Sequence, residues 1–202
     1  MATRVEIEGI EQVGPKGLES LPFSQILPVY AELARRGALY AIDAHAGTAI
    51  APVVAAPTTS PSWGLYNYSI DKRMYLLDVA VTLKSGTAGL GLAMMVATAI
   101  GPQTQDASDY AGTIKSALDG SGNTPPIVLA DNPTLIGGTP AWVVVENTKL
   151  NEVATDSVGG GLVAKLDGKF VAMPRGGMVA LEVVGETGTT ALFTPSFLVA
   201  LL

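Results

Sequence analysis

Residues 85–101 carry no charge and alternate large with small side chains at a period of two. Leu90, Leu92, Met94, Val96, Thr98 and Ile100 fall on one side; Gly89, Gly91, Ala93, Ala97 and Ala99 fall on the other, and Met95 is the one break in the small set. A helix turns about 100° per residue and would scatter both sets, whereas a strand sends successive side chains to opposite faces. The pattern therefore predicts a strand covered on both sides. Its large face suits a core. Its small face (Gly89, Gly91, Ala93, Ala97, Ala99) suits close approach, either between two sheets or between protomers.

The rest of the chain reads mainly as β. Residues 74–84 alternate, with Tyr75, Leu77, Val79, Val81 and Leu83 on one face, and Gly86 leads into the 85–101 strand, so the two are expected to pair as a hairpin. Further strands are expected at 38–45, 48–56, 127–130, 141–147, 161–166, 177–184 and 191–201, with Asp167-Gly168 as a hairpin turn. One short helix is expected over 26–36, with Gly37 just past its end, and a second over 108–118, where Tyr110, Ile114, Ala117 and Leu118 fall at helical spacing. Short strands separated by turns, with no βαβ rhythm, predict an antiparallel β-sandwich or jelly roll. The organisation expected is an N-terminal arm and short helix over 1–37, then a sandwich over 38–202 with an insertion at about 102–140. Within the arm, a short strand is expected at 5–10.

Composition narrows the function. Only 15% of the 202 residues are charged, against roughly 25% in an average soluble domain, while 48% are hydrophobic. Such a chain has little charge to solvate its surface, which implies that partners cover much of it. The absence of cysteine excludes disulfides, thiolate catalysis and cysteine metal sites. A net charge of −6, with basic residues dispersed except for the pairs Arg35-Arg36 and Lys72-Arg73, argues against nucleic acid as a partner. The uncharged stretch 85–105 is long enough to cross a bilayer, but its glycines, Pro102 and its alternation argue against a membrane role. Residues 1–14 have neither the basic nor the apolar region of a secretory signal.

No motif requires chemistry. His45 is the single histidine, and a hydrolase would need it beside a serine and a carboxylate; Asp43 shares its strand face, but no serine is marked out. Asp156-Ser157-Val158-Gly159 matches an aspartic-protease loop only with an interruption, and Gly89-x-Gly91 lacks the third glycine of a dinucleotide fingerprint. No cofactor or metal is expected. Trp63, Tyr66 and Tyr68 flank the proline-rich stretch 57–62 and would form a loop able to stack on sugar faces; the alternative is that they anchor that loop to the sandwich.

Two groups of segments resemble the jelly-roll decoration (cement) proteins of tailed-bacteriophage capsids. The first is 34–40 (ARRGALY), 46–52 (AGTAIAP) and 64–67 (GLYN); the second is 173–181 (MPRGGMVAL) and 184–189 (VGETGT). The likeness covers roughly 34–70 and 140–200, and lies in turns and strand starts. It implies a non-enzymatic homotrimer on the capsid surface, assembled in the host cytoplasm, that binds the major capsid protein of the same virion and bridges its subunits. The alternative is a receptor- or carbohydrate-binding virion module that uses the loop Trp63, Tyr66 and Tyr68.

Overall fold

The computed structural model describes residues 4–7, 10–13, 29–44, 49–87, 91–99, 101–103, 113–117, 125–147, 161–186 and 190–202. The chain divides into two compact units, Met1–Glu32 and Leu33–Leu202. In the first, β1 (Arg4–Ile7) and β2 (Ile10–Val13) form a small antiparallel hairpin with Ile7 opposite Ile10, so the single strand expected at 5–10 is two strands with a reversal between them. Helix α1 (Val29–Arg35) leads into the second unit. It ends as the sequence requires: Gly37 has φ +67°, its N–H donates to Ala34 O, and the Ala38 N–H donates to Leu33 O. These two bonds make a Schellman cap.

The second unit is a jelly roll. Its strands are β3 (Leu39–Asp43), β4 (Trp63–Asn67), β5 (Met74–Ser85), β6 (Ala93–Thr98), β7 (Thr113–Ser116), β8 (Ile127–Asp131), β9 (Val143–Asn147), β10 (Gly161–Ala172), β11 (Gly177–Val184) and β12 (Leu192–Leu201). One sheet runs β10-β5-β12-β3-β7 and the other β8-β4-β11-β6-β9, with every neighbouring pair antiparallel. Without β7 and β8, the pairs nest: β3 with β12, β4 with β11, β5 with β10, β6 with β9. This is one long hairpin rolled into two sheets.

Several expectations are corrected. Strands β5 and β6 do not pair; they lie in different sheets, because each finds its partners late in the chain. Asp167-Gly168 is no hairpin turn, since β10 pairs with β5 on both sides of it; the ladder jumps from Lys165 opposite Asp78 to Phe170 opposite Leu76. Leu77 has no partner in either ladder, and this bulge reverses the faces of β5. Met74 and Leu76 therefore join Val79 and Val81 in the core, instead of Tyr75 and Leu77. Residues 49–56 form only isolated bridges, Ile50 with Phe193 and Val53 with Val184. Two strands of the expected insertion belong to the sandwich: β7 extends one sheet and β8 the other, so 113–116, within the helix expected over 108–118, is a strand, and residues 108–112 and 118 lie outside the described residues.

The main core fills the space between the sheets, with Ile42, Leu76, Phe193 and Val199 from one and Trp63, Leu65, Val96 and Leu181 from the other. Sheet two is also covered on its outer face. All five residues of β4 and seven of the eight in β11 are buried. On that outer face a cross-strand row reads Ala130, Gly64, Ala180, Ala97. A second cluster, including Tyr66, Met178, Ala99 and Leu135, packs beside it. The small row leaves space for the segment after β8: a Cβ on Gly64 would lie 2.8 Å from Pro133 Cγ and 2.6 Å from Met178 Sδ. Hydrogen bonds hold the cover down. Asn132 N–H donates to Ser62 O, Leu135 N–H to Thr59 O, and Trp142 Nε1–H to Pro57 O. The buried Gln103 amide clasps Ile136, donating to its carbonyl and accepting from its N–H, each at 2.7 Å.

Candidate functional site

The small face of the 85–101 segment is placed only in part. Gly89 lies outside the described residues. Gly91 precedes β6, exposed, at φ +74°, and a Cβ there would meet none of the described residues within 4 Å. Ala93 is half-buried, while Ala97 and Ala99 are buried on the outer face of sheet two. Their neighbours belong to the same chain. The close approach predicted for this face is therefore made by the chain's own covering segment, not by the other sheet, and Met94 and Val96 fill the inter-sheet core as expected.

Trp63, Tyr66 and Tyr68 do not form an exposed loop. Trp63 and Tyr66 belong to β4 and are 2% and 0% exposed, on opposite faces of the sheet. Tyr68 is half-buried and stacks on Tyr66, with ring centroids 5.6 Å apart and planes 6° from parallel. These rings anchor the sandwich, which corrects the sugar-stacking loop. The sequence reading missed β4 because it contains glycine and follows a proline-rich stretch. His45 and Asp156-Ser157-Val158-Gly159 lie outside the described residues. Among the described residues, no three of His, Cys, Asp and Glu are grouped to hold a metal ion, and no helix is long and apolar enough to cross a membrane.

Two buried polar groups organise the surfaces around them. Glu182 lies on the outer face of β11 and is fully buried. One carboxylate oxygen accepts from Ser62 N–H at 2.8 Å; the other accepts from Ser62 Oγ–H at 2.7 Å and Val183 N–H at 2.9 Å. Burial raises its pKa above the ordinary value, and the three hydrogen bonds oppose the rise without cancelling it. The sequence signal was a single carboxylate inside an apolar run, Met178 to Val184. A strand buried on both faces leaves such a group no route to water.

Asn67, at the end of β4, is also fully buried. Its Nδ2 donates to Lys72 O and Ala172 O, and its Oδ1 accepts from Ser69 N–H and Ser69 Oγ–H. Both ends of the amide are engaged. Arg175 N–H donates to Ser69 O and Gly176 N–H to Asn67 O, so Asn67 fastens the turn 69–73 to the turn 173–176. Arg73 and Leu202 exchange backbone hydrogen bonds beside them. The result is a firm platform at one end of the sandwich, with Ile70, Lys72, Arg73, Met173 and Arg175 exposed.

A second exposed feature is the edge formed by β9 and β10. Strand β9 is the last of sheet two, and its Val143 and Val144 are 48% and 50% exposed. Val163, on the edge strand β10 of the other sheet, is 61% exposed. An edge strand presents unpaired backbone groups along its outer side. Neither the platform nor this edge contains the components of a catalytic device; both offer contact area. Comparison of the chain with protein-family models, with curated proteins and with solved structures returns no match.

Proposed function

We propose that this chain is a non-enzymatic virion structural protein, a capsid decoration protein that bridges neighbouring capsid subunits as a homotrimer. The observation that carries the reading is the pair of edge strands β9 and β10, where Val143, Val144 and Val163 are exposed. Three exposed valines on strands that are the last of their sheets among the described residues, in a chain with only 15% charged residues, support a surface built for protein contact. The jelly roll and the resemblance of segments 34–70 and 140–200 to capsid decoration proteins support the setting. The major capsid protein is the partner in this reading, and the capsid surface the location.

Mechanistically, each contact need only be modest. A trimer that engages several subunits at once turns later contacts into intramolecular ones, so residence time rises steeply without a covalent link. The rigid sandwich transmits load between the subunits it joins. The test is co-sedimentation with shells assembled from the major capsid protein of the same virion. Wild type is expected to pellet with shells, and Val144→Lys to stay in the supernatant while keeping the wild-type circular dichroism spectrum. Wild type that stays in the supernatant overturns the proposal.

A further inference from the structure

We propose that Glu182 is a pH-responsive latch on the segment that covers the outer face of sheet two: its proton holds the cover shut, and ionisation lets it open. The cover, residues 132–142, leaves β8 at Asn132, where φ is +47°, and continues with Pro133, Leu135 and Pro140 buried. It rests on a strap, residues 57–62, that runs up to β4. Asn132 N–H donates to Ser62 O at 2.9 Å, Leu135 N–H to Thr59 O at 2.7 Å, and Trp142 Nε1–H to Pro57 O at 2.8 Å. Strap and cover are therefore one layer. Beneath it lie Gly64, Tyr66, Met178 and Ala180, an apolar floor.

Glu182 fastens the strap to the sheet. Its two oxygens take both donors of Ser62, the N–H at 2.8 Å and the Oγ–H at 2.7 Å, along with Val183 N–H at 2.9 Å. Glu182 is 0% and Ser62 3% exposed, so the closed layer keeps the carboxylate from solvent. Among the described residues nothing charged faces it. The strands flanking β11, β4 and β6, carry no charged residue, and neither do the strap and the cover. On the outer strands β8 and β9, Asp131 and Glu146 stand opposite Trp63 and Met94, whose side chains lie in the inter-sheet core, and so belong to the other face. Glu186, past the end of β11, is exposed.

A buried carboxylate without a cation has two unequal states. With its proton it is a neutral group that still bonds Ser62, whose hydroxyl turns from donor to acceptor. Without it, three donors face a charge that burial keeps from water; burial raises the pKa above its ordinary value, and the donors offset only part of the rise. The closed layer thus prefers the protonated group. An opened layer, in which the group meets water, prefers the anion and releases the proton to solvent. Between the ordinary value and the raised one, the balance shifts toward the open layer by up to about tenfold per pH unit. Gln103 keeps its hold on Ile136 farther along the cover. Opening therefore concerns the strap and the start of the cover, with the sandwich beneath in place.

This inference goes beyond the proposed function and does not depend on it. The test is hydrogen exchange by NMR on the full chain across a pH series from 4.5 to 8, each rate taken relative to intrinsic exchange at that pH. The reporters are the amides of Ser62, Asn132 and Leu135 and the indole N–H of Trp142; the controls are amides of β5 and β12. In wild type the reporters are expected to be less protected than the controls at every pH, the mark of a local opening. Their protection is expected to fall about tenfold or more as pH rises, and Glu182→Gln to remove that dependence. Reporter protection that ignores pH in wild type overturns the inference. So does a fall that persists in the variant, or reporters that exchange only as slowly as the controls and hence open only by global unfolding. If the variant fails to fold, the wild-type profile decides alone, on whether the reporters open locally and with rising pH.

Discussion

At the scale of single residues, Glu182 is the most consequential side chain that chain pattern does not advertise. It gathers three donors and thereby pins Ser62, whose carbonyl in turn receives the Asn132 N–H that starts the cover over sheet two. Burial holds its pKa above the usual carboxylate value, so the folded state binds a proton more tightly than the unfolded chain does. Its contribution to stability is therefore largest at acid pH, and is lost as pH rises from the unfolded value through the raised folded one. Urea unfolding of wild type and Glu182→Gln at a series of pH values should show wild type gaining on the variant as pH falls from 8 toward 4.5. A constant difference across that range would mean that the carboxylate is not held out of water.

At the scale of elements, β7 and β8 show how far local pattern reaches. The spacing of Tyr110, Ile114, Ala117 and Leu118 suits a helix, yet Thr113–Ser116 pairs with β3, with Ile114 opposite Ile42. Tertiary pairing overrides a four-residue preference easily, because strand preference is mostly a matter of neighbours and burial. Strand β8 was legible as a strand but not as a structural necessity. Ile127 and Leu129 are 2% and 0% exposed in the main core. Leu129→Ala should therefore cost about 2–5 kcal/mol in chemical denaturation, the usual range for a fully buried leucine. A detachable insertion would lose almost nothing.

At the scale of the whole molecule, sheet two is a middle layer: the first sheet covers one face, and the segments around Leu135 and Trp142 cover the other. That arrangement buries Ala97 and Ala99 of the small-residue face within the chain, while Val143, Val144 and Val163 on the edge strands β9 and β10 stay exposed. If the chain works as a trimer, dissociation accompanies unfolding, and stability depends on concentration. A tenfold dilution should then lower Tm by about 2–4 °C, given the size of the chain. A Tm independent of concentration would argue for a monomer and against the proposed homotrimer.

From sequence alone came the β class, most of the long strands, the helix cap at Gly37 and the alternation that buries Leu92, Met94 and Val96 on one face and Ala97 and Ala99 on the other. Each of these follows from period-two patterning or from a backbone requirement within a few neighbours. Tertiary structure alone decided the rest. Two strands that alternate well, such as β5 and β6, offer no local reason to lie in different sheets; that choice belongs to partners far along the chain, β10 and β12 for one and β9 and β11 for the other. The bulge at Leu77 shifts every following side chain to the opposite face, and no local pattern separates it from an unbroken strand. The burial of Trp63, Tyr66, Asn67 and Glu182 likewise depends on the cover that arrives later in the chain. Whether a polar or aromatic group meets water is set by distant segments, and that is why the candidate surfaces emerged only with the fold.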